Sequence, residues 1–228
     1  MHNYLKELTD DSNVLYIYEI GLQIYGIMKN TENRDYLVIV DDNYIPDGFV
    51  KVNDKYERQV QTEHGVLSFQ MMFIKDWFTK VLGSSMLACI CAYLPKRYVI
   101  KEHVKLVLFL RPLDLRKWYE DNKQQFIEEA LDDIKNGNTL SGQKALWKLI
   151  VHVMFSNQMI EHHKIINFKE VVPSYKRIVD GQITDAMNIL QLFIAEITPH
   201  YERFRMYTDE MLAKSKQITN SKWKHIIL

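Results

Sequence analysis

The stretch Glu19–Asp42, EIGLQIYGIMKNTENRDYLVIVDD, limits the fold more than any other part of the chain. Before its glycine, Val14–Ile20 (VLYIYEI) is dense in β-branched and aromatic residues and reads as a strand. Gly21 ends it. Leu22–Met28 is apolar with Gln and Tyr and has room for two helical turns, and Lys29–Arg34 is a polar connection. Asp35 then heads Tyr36–Val40, a continuously apolar run of the kind found in strands buried on both faces. Strand, glycine turn, short helix and carboxylate-headed strand make one unit that the remaining elements must surround.

The flanks supply those elements. Met1–Thr9 carries Tyr4, Leu5 and Leu8 at helical spacing and is stopped by Asp10-Asp11-Ser12-Asn13. Asp41–Gly48 holds Asn, Pro and Gly and reads as a loop, and residues 56–62 and 66–72 read as two strands around a turn at His64-Gly65. Ile74–Leu82 is a helix ended by Gly83, and Ser84 or Ser85 caps a second helix, Met86–Tyr93. Beyond residue 100 the pattern is helical: Asp114–Lys135, then Gly142–His162 opened by Thr139 or Ser141, then Asn167–Val179. Thr184–Ile197 follows, with Thr198-Pro199 expected to interrupt it before Tyr201–Ala213. Val104–Leu110 is apolar and its type stays open. The expected fold class is α+β, a small mixed sheet with helices over residues 1–111 and a helical domain with a basic tail over 112–228.

Composition narrows the function. With 29 basic and 29 acidic residues, bulk charge gives no case for nucleic-acid binding, so such a site has to be a local patch. The 47% hydrophobic content is that of a folded domain. Cys89 and Cys91, two apart in an apolar run, read as buried free thiols of a reducing compartment. No apolar run approaches the ~18 residues of a membrane span. A cytoplasmic protein is expected. High Lys, Ile, Asn and Tyr usage is compatible with an AT-rich genome, a phage's included.

The Gly21 turn, Tyr25-Gly26 and Asn33-x-Asp35 followed by YLVIV resemble the core signature of the DNA-polymerase-β-like nucleotidyltransferases. The strand running into IKDWF and the helical second half belong to the same resemblance. It implies a site in which a Gly-Ser turn binds nucleotide phosphates and three carboxylates hold Mg²⁺. Nucleotidyl transfer uses two such metals, one activating the acceptor hydroxyl and one holding the triphosphate. Carried over residue by residue, the resemblance puts Gly21 and Leu22 at the turn, with Leu22 lacking the hydroxyl. Tyr25 falls at the aromatic of the short helix. Asn33 falls at the first carboxylate, Asp35 at the second and Ser68 at the third, with Gln70 next on the same face. Asp35 alone keeps the charge of a metal ligand, and the loss of two charges weakens Mg²⁺ binding by several kcal/mol. Asp41 shares Asp35's parity but lies about 20 Å along the strand. Glu63 lies at a turn, and Glu32 and Asp42 are substitutes by type only.

The resemblance also places a basic side chain toward the triphosphate at Lys144, with Lys148 and His152 following at helical spacing. The plain alternative is an exposed helix face capped by Ser141. His162-His163 reads as a helix end, and Met71, Met72, Met154 and Met159 read as core. The tail from Arg203 to Leu228 holds six basic residues against two acidic ones and ends SKWKHIIL. It can hold nucleic acid by phosphate contact and stacking, or dock its Trp223, Ile226, Ile227 and Leu228 on the body or on a partner.

The expected function is therefore that of a degenerate nucleotidyltransferase-fold protein, a binding or assembly subunit for an NTP, a nucleic acid or a protein. The alternative is an active Mg²⁺-dependent enzyme that moves NMP from an NTP to a nucleic acid, a protein or a small molecule.

Overall fold

A computed structural model describes residues 3–27, 33–83, 85–106 and 111–224, with side chains to Lys214. The polar connection at 28–32 with Glu32, the Ser84 cap, the apolar 107–110 and the terminal residues 225–228 lie outside the described residues.

The chain forms a mixed α+β protein: a six-stranded sheet with helices, and a helical region after it. Two compact units emerge. The first comprises Met1–Phe109 with Ile166–Lys169, and the second Leu110–Ile165 with Glu170–Leu228. Ile166–Lys169 thus joins the sheet unit, although the sequence reading placed those residues in the helical half.

In the first unit α1 (Asn3–Asp10) precedes β1 (Val14–Ile20), and a single 3₁₀ turn, Leu22–Tyr25, leads toward β2 (Arg34–Val40). The hairpins β3 (Val50–Val52), β4 (Lys55–Thr62) and β5 (Gly65–Phe73) come next, followed by α2 (Ile74–Leu82), α3 (Met86–Tyr93) and β6 (Val99–Glu102). The sheet order is β3-β4-β5-β2-β1-β6; β2 and β5 are parallel and the other pairs antiparallel. Asn53 and Asp54, at φ 46° and 63°, make the tight β3–β4 turn, the left-handed pair that two-residue hairpins require.

Alternation sorts the strands into two faces. On one, Tyr4, Leu5 and Leu8 of α1 cover Val14, Ile17, Tyr36, Val38, Val40, Leu67, Phe69 and Met71. On the other lie Tyr18, Leu37 and Ile39, with the fully buried Trp77 of α2 set against Tyr18 at 5.9 Å between ring centroids. Ser85 caps α3 by accepting from the Ala88 amide, and Cys89 and Cys91 are buried free thiols whose pKa burial raises, keeping them protonated.

The second unit holds α4 (Pro112–Lys135), α5 (Thr139–His162), α6 (Val172–Ile178, after the 3₁₀ turn Phe168–Val171) and α7 (Ala186–Lys224). Ser141 lies inside the first turn of α5, whose N-cap is Asn138, so it caps nothing. The expected break at Thr198-Pro199 does not occur. Pro199 sits within one 39-residue helix, because Ile189, Phe193 and Ile197 before it and Phe204 after it are all buried in the same bundle. Thr198 Oγ1 donates to the Ile194 carbonyl at 2.6 Å, and the Asn157 amide donates to His200 O at 2.9 Å. No described helix is long and apolar enough to cross a membrane.

Candidate functional site

Where β1 ends and β2 begins, the strand register makes a polar row. Ile20 of β1 faces Asp35 of β2, Asp35 faces Ser68 of β5, and Ser68 faces Gln59 of β4. The next row on the same face reads Tyr18, Leu37, Gln70 and Glu57. Tyr18 and Leu37 lie under the α2 side of the sheet, while Asp35, Gln59 and Gln70 are exposed and Ser68 and Glu57 are half-buried. The corner is an open sheet face with two carboxylates, two amides and a hydroxyl.

Gly21 closes the corner. Its φ of 102° and ψ of −166° lie in a region essentially reserved for glycine. A Cβ there would stand 2.7 Å from Asp35 Oδ2 and 2.9 Å from Gln23 Oε1. The missing side chain is what lets two oxygens converge on the turn. Gln23 Nε2 also donates to Asn33 O at 2.6 Å, tying the turn to the approach of β2.

Asn33 is exposed, and its side-chain oxygen accepts from the Val66 amide at 2.9 Å. It caps the start of the parallel β2–β5 pair, a structural use for the atom that the resemblance assigned to a metal. Behind the corner Glu19, 4% exposed, meets Arg34 at 3.4 Å. Burial raises the Glu19 carboxyl against the pull of Arg34 and Arg97. Alternation puts Glu19 on the face opposite Asp35, so this pair fastens β1 to β2 from the rear.

The short helix expected over Leu22–Met28 is one 3₁₀ turn, closed by Gly26 in the left-handed region. With so few aligned peptides it has little macrodipole to offer a phosphate. Leu22 is half-buried. Tyr25 is 8% exposed, its ring 6.4 Å from that of Phe168, and it serves as packing under the turn.

The second unit contains Lys144, half-buried, and Lys148, exposed. His152 does not share their surface. A step of 100° per residue carries it around α5 into the bundle, where it is 3% exposed and stacked on Trp118 at 4.5 Å. Its Nε2 donates to Leu115 O at 3.0 Å, and burial lowers its pKa to about 4. His152 is therefore a neutral core residue and no phosphate ligand. His163 ends α5 in the left-handed conformation.

Among the described residues, no group of three or more His, Cys, Asp or Glu side chains is placed to hold a metal ion. Asp42 is engaged by the Lys75 amide, and Asp41 and Glu63 sit at the far end of β2 and at the β4–β5 turn. Asp35 flanked by Ser68, Gln59 and a committed Asn33, with Glu57 a row further on β4, is a poor donor set for Mg²⁺, which takes most of its protein ligands from charged oxygens. The residues present do not fit a two-metal centre.

Sequence reasoning missed Gln59, Glu57 and Gln23. The first two were within reach, since counting back from a two-residue turn at Glu63-His64 puts Gln59 beside Ser68 and Glu57 beside Gln70.

No protein-family model matches the chain, and no curated protein matches it. Among solved structures it is similar to a nucleotidyltransferase-like protein from Exiguobacterium sibiricum. The identity is 9% and the TM-score 0.33, over 92% of this chain and 77% of the other.

Proposed function

We propose that this chain is a nucleotidyltransferase-like protein that has kept the sheet and glycine turn of that fold without its metal-dependent reaction, and that it acts by binding. The observation that carries this reading is the row Asp35–Ser68–Gln59: a single charge where the chemistry requires three, with hydrogen-bonding neutral groups on the same face. Such a surface suits a ligand rich in hydroxyls and amides, such as the sugar or base of a nucleotide, held without a bridging metal. Gly21 leaves room for Asp35 at the rim of that surface, and Gln23 ties the turn to Asn33.

The test is transfer from labelled NTPs with Mg²⁺ or Mn²⁺, using the parent, Asp35→Ala and the double variant Asn33→Asp, Ser68→Asp. The parent is expected to be inert. The double variant restores the three charges and is expected to gain metal-dependent thermal stabilisation. Nucleotide incorporation by the parent, abolished in Asp35→Ala, would instead establish the active enzyme and overturn this reading.

A further inference from the structure

From Gly142 to Met159 every residue of α5 is buried except Lys144, Ala145 and Lys148. At 100° per residue those three share one strip, an arc of about 100°. Contacts at either end set this strip beside α4. At one end Gly142 packs so closely that a Cβ there would stand 2.3 Å from Ala130 O. At the other, His152 bonds Leu115 O at 3.0 Å and lies under the Trp118 ring at 4.5 Å. Two groups along this seam are unspent. Lys144 is half-buried, and among the described residues nothing hydrogen-bonds or ion-pairs with it. Trp118 is 39% exposed although His152 covers one face and the Phe126 ring stands 5.7 Å away. Its indole N–H donates to no described group.

We propose that the α4–α5 seam binds single-stranded nucleic acid, with a base stacked on the outer face of Trp118 and adjoining phosphates held by Lys144 and Lys148. The ring is already fixed by His152 and Phe126, so little side-chain freedom is lost when a base stacks on it. Lys144 and Lys148 stand one helical turn apart, about 6 Å along α5, and both lie between the two contacts that set the seam. The apolar target is one ring wide, for Asp114, Lys117, Asp121 and Asn122 surround Trp118 on α4. A protein or membrane contact needs a continuous apolar patch, whereas a planar base needs one ring. A duplex keeps its bases stacked on one another and has none to offer. Asp114 and Asp121 stand about 40° and 60° around α4 from Trp118, on the side away from α5. Asp114 is paired with Arg111, and farther along α4 Glu129 accepts from Gln125 at 2.8 Å. The inference rests on the helical unit alone and is independent of the Asp35 corner.

Full-length protein is titrated into a labelled DNA single strand of about 12 nucleotides, and anisotropy is followed across salt concentration, with unlabelled duplex and ATP as competitors. The parent is expected to prefer the single strand to both. Trp118→Ala is expected to weaken binding roughly 5- to 150-fold, the range for one stacked base. Lys144→Gln with Lys148→Gln is expected to reduce the slope of log K against log salt by about 1.4, roughly a 7-fold difference between about 50 and 200 mM salt. Because Trp118 also covers His152, thermal melting serves as the folding control, and Trp118→Tyr, which keeps a ring there, supplies a second readout. The strand is expected to quench part of the tryptophan emission of the parent, and Trp118→Tyr to bind the strand without that quenching. The proposal is overturned if the parent does not bind the single strand at about 50 mM salt, or if duplex or ATP competes as well as the strand itself. It is overturned equally if Trp118→Tyr keeps the full quenching or the double lysine variant keeps the parent's slope.

Discussion

At the residue scale, Gly21 and His152 show how one position can be readable and another hidden. Gly21 was marked by its place between two β-rich runs, and the structure gives the mark its cause: only a residue without Cβ leaves room for Asp35 Oδ2. His152 was invisible as a core residue, because its spacing from Lys144 and Lys148 suits a surface face as well as a slowly rotating one. Its burial makes a sharp pH prediction. The unfolded chain takes up the imidazole proton at the ordinary pKa of 6.5, whereas the folded chain resists it to about 4. Stability from this group is complete above about pH 6.5 and is lost as pH falls toward 4, by at most about 3 kcal/mol. Urea unfolding of the parent should lose midpoint over that window. His152→Phe, which keeps a ring beside Trp118, should flatten the loss; an unchanged pH slope would show that other groups cause it.

At the element scale, α2 and α3 have the bounds the sequence gives, because each has a local stop: Gly83 after Leu82, and Leu94-Pro95 after Tyr93. The elements missed or misread were those whose existence depends on distant partners. Among the described residues, β3 has three exposed residues and pairs with β4 alone, and β6 pairs with β1 alone. Helix α7 runs through Pro199 because the bundle supports both sides of it, a tertiary effect no local signal carries. The α4–α5 hairpin contains a comparable close contact. A Cβ on Gly142 would lie 2.3 Å from Ala130 O and 2.6 Å from Ile134 Cγ1, against backbone that cannot step aside. Although alanine is the better helix former, Gly142→Ala is expected to destabilise the protein by about 2 kcal/mol or more, since overpacking at a buried crossing outweighs helix propensity. A rise in the thermal midpoint of this variant would mean the two helices separate there at little cost.

At the scale of the whole molecule, the sheet unit is not one continuous segment. The chain leaves it after Phe109 and returns for Ile166–Lys169, so a division at residue 111 separates Tyr25 from the ring of Phe168. The candidate site depends on that return. Tyr25 ends the turn that begins at Gly21, and Lys169 methylenes lie 3.3 to 3.9 Å from where a Cβ on Gly26 would stand. Periodicity could not reveal this, since FKEV is an ordinary fragment of helical type and its partner lies more than a hundred residues earlier. Phe168→Ala should therefore act on the sheet unit although it stands among the helices in sequence. Removing a ring that is 8% exposed is expected to cost about 3 kcal/mol. Hydrogen exchange locates the effect: faster exchange is expected at amides of β1 and of Leu22–Gly26, with those in the middle of α5 keeping their protection. Faster exchange confined to α5 and α7 would assign Phe168 to the helical unit instead, and with it the support of the turn beside Asp35.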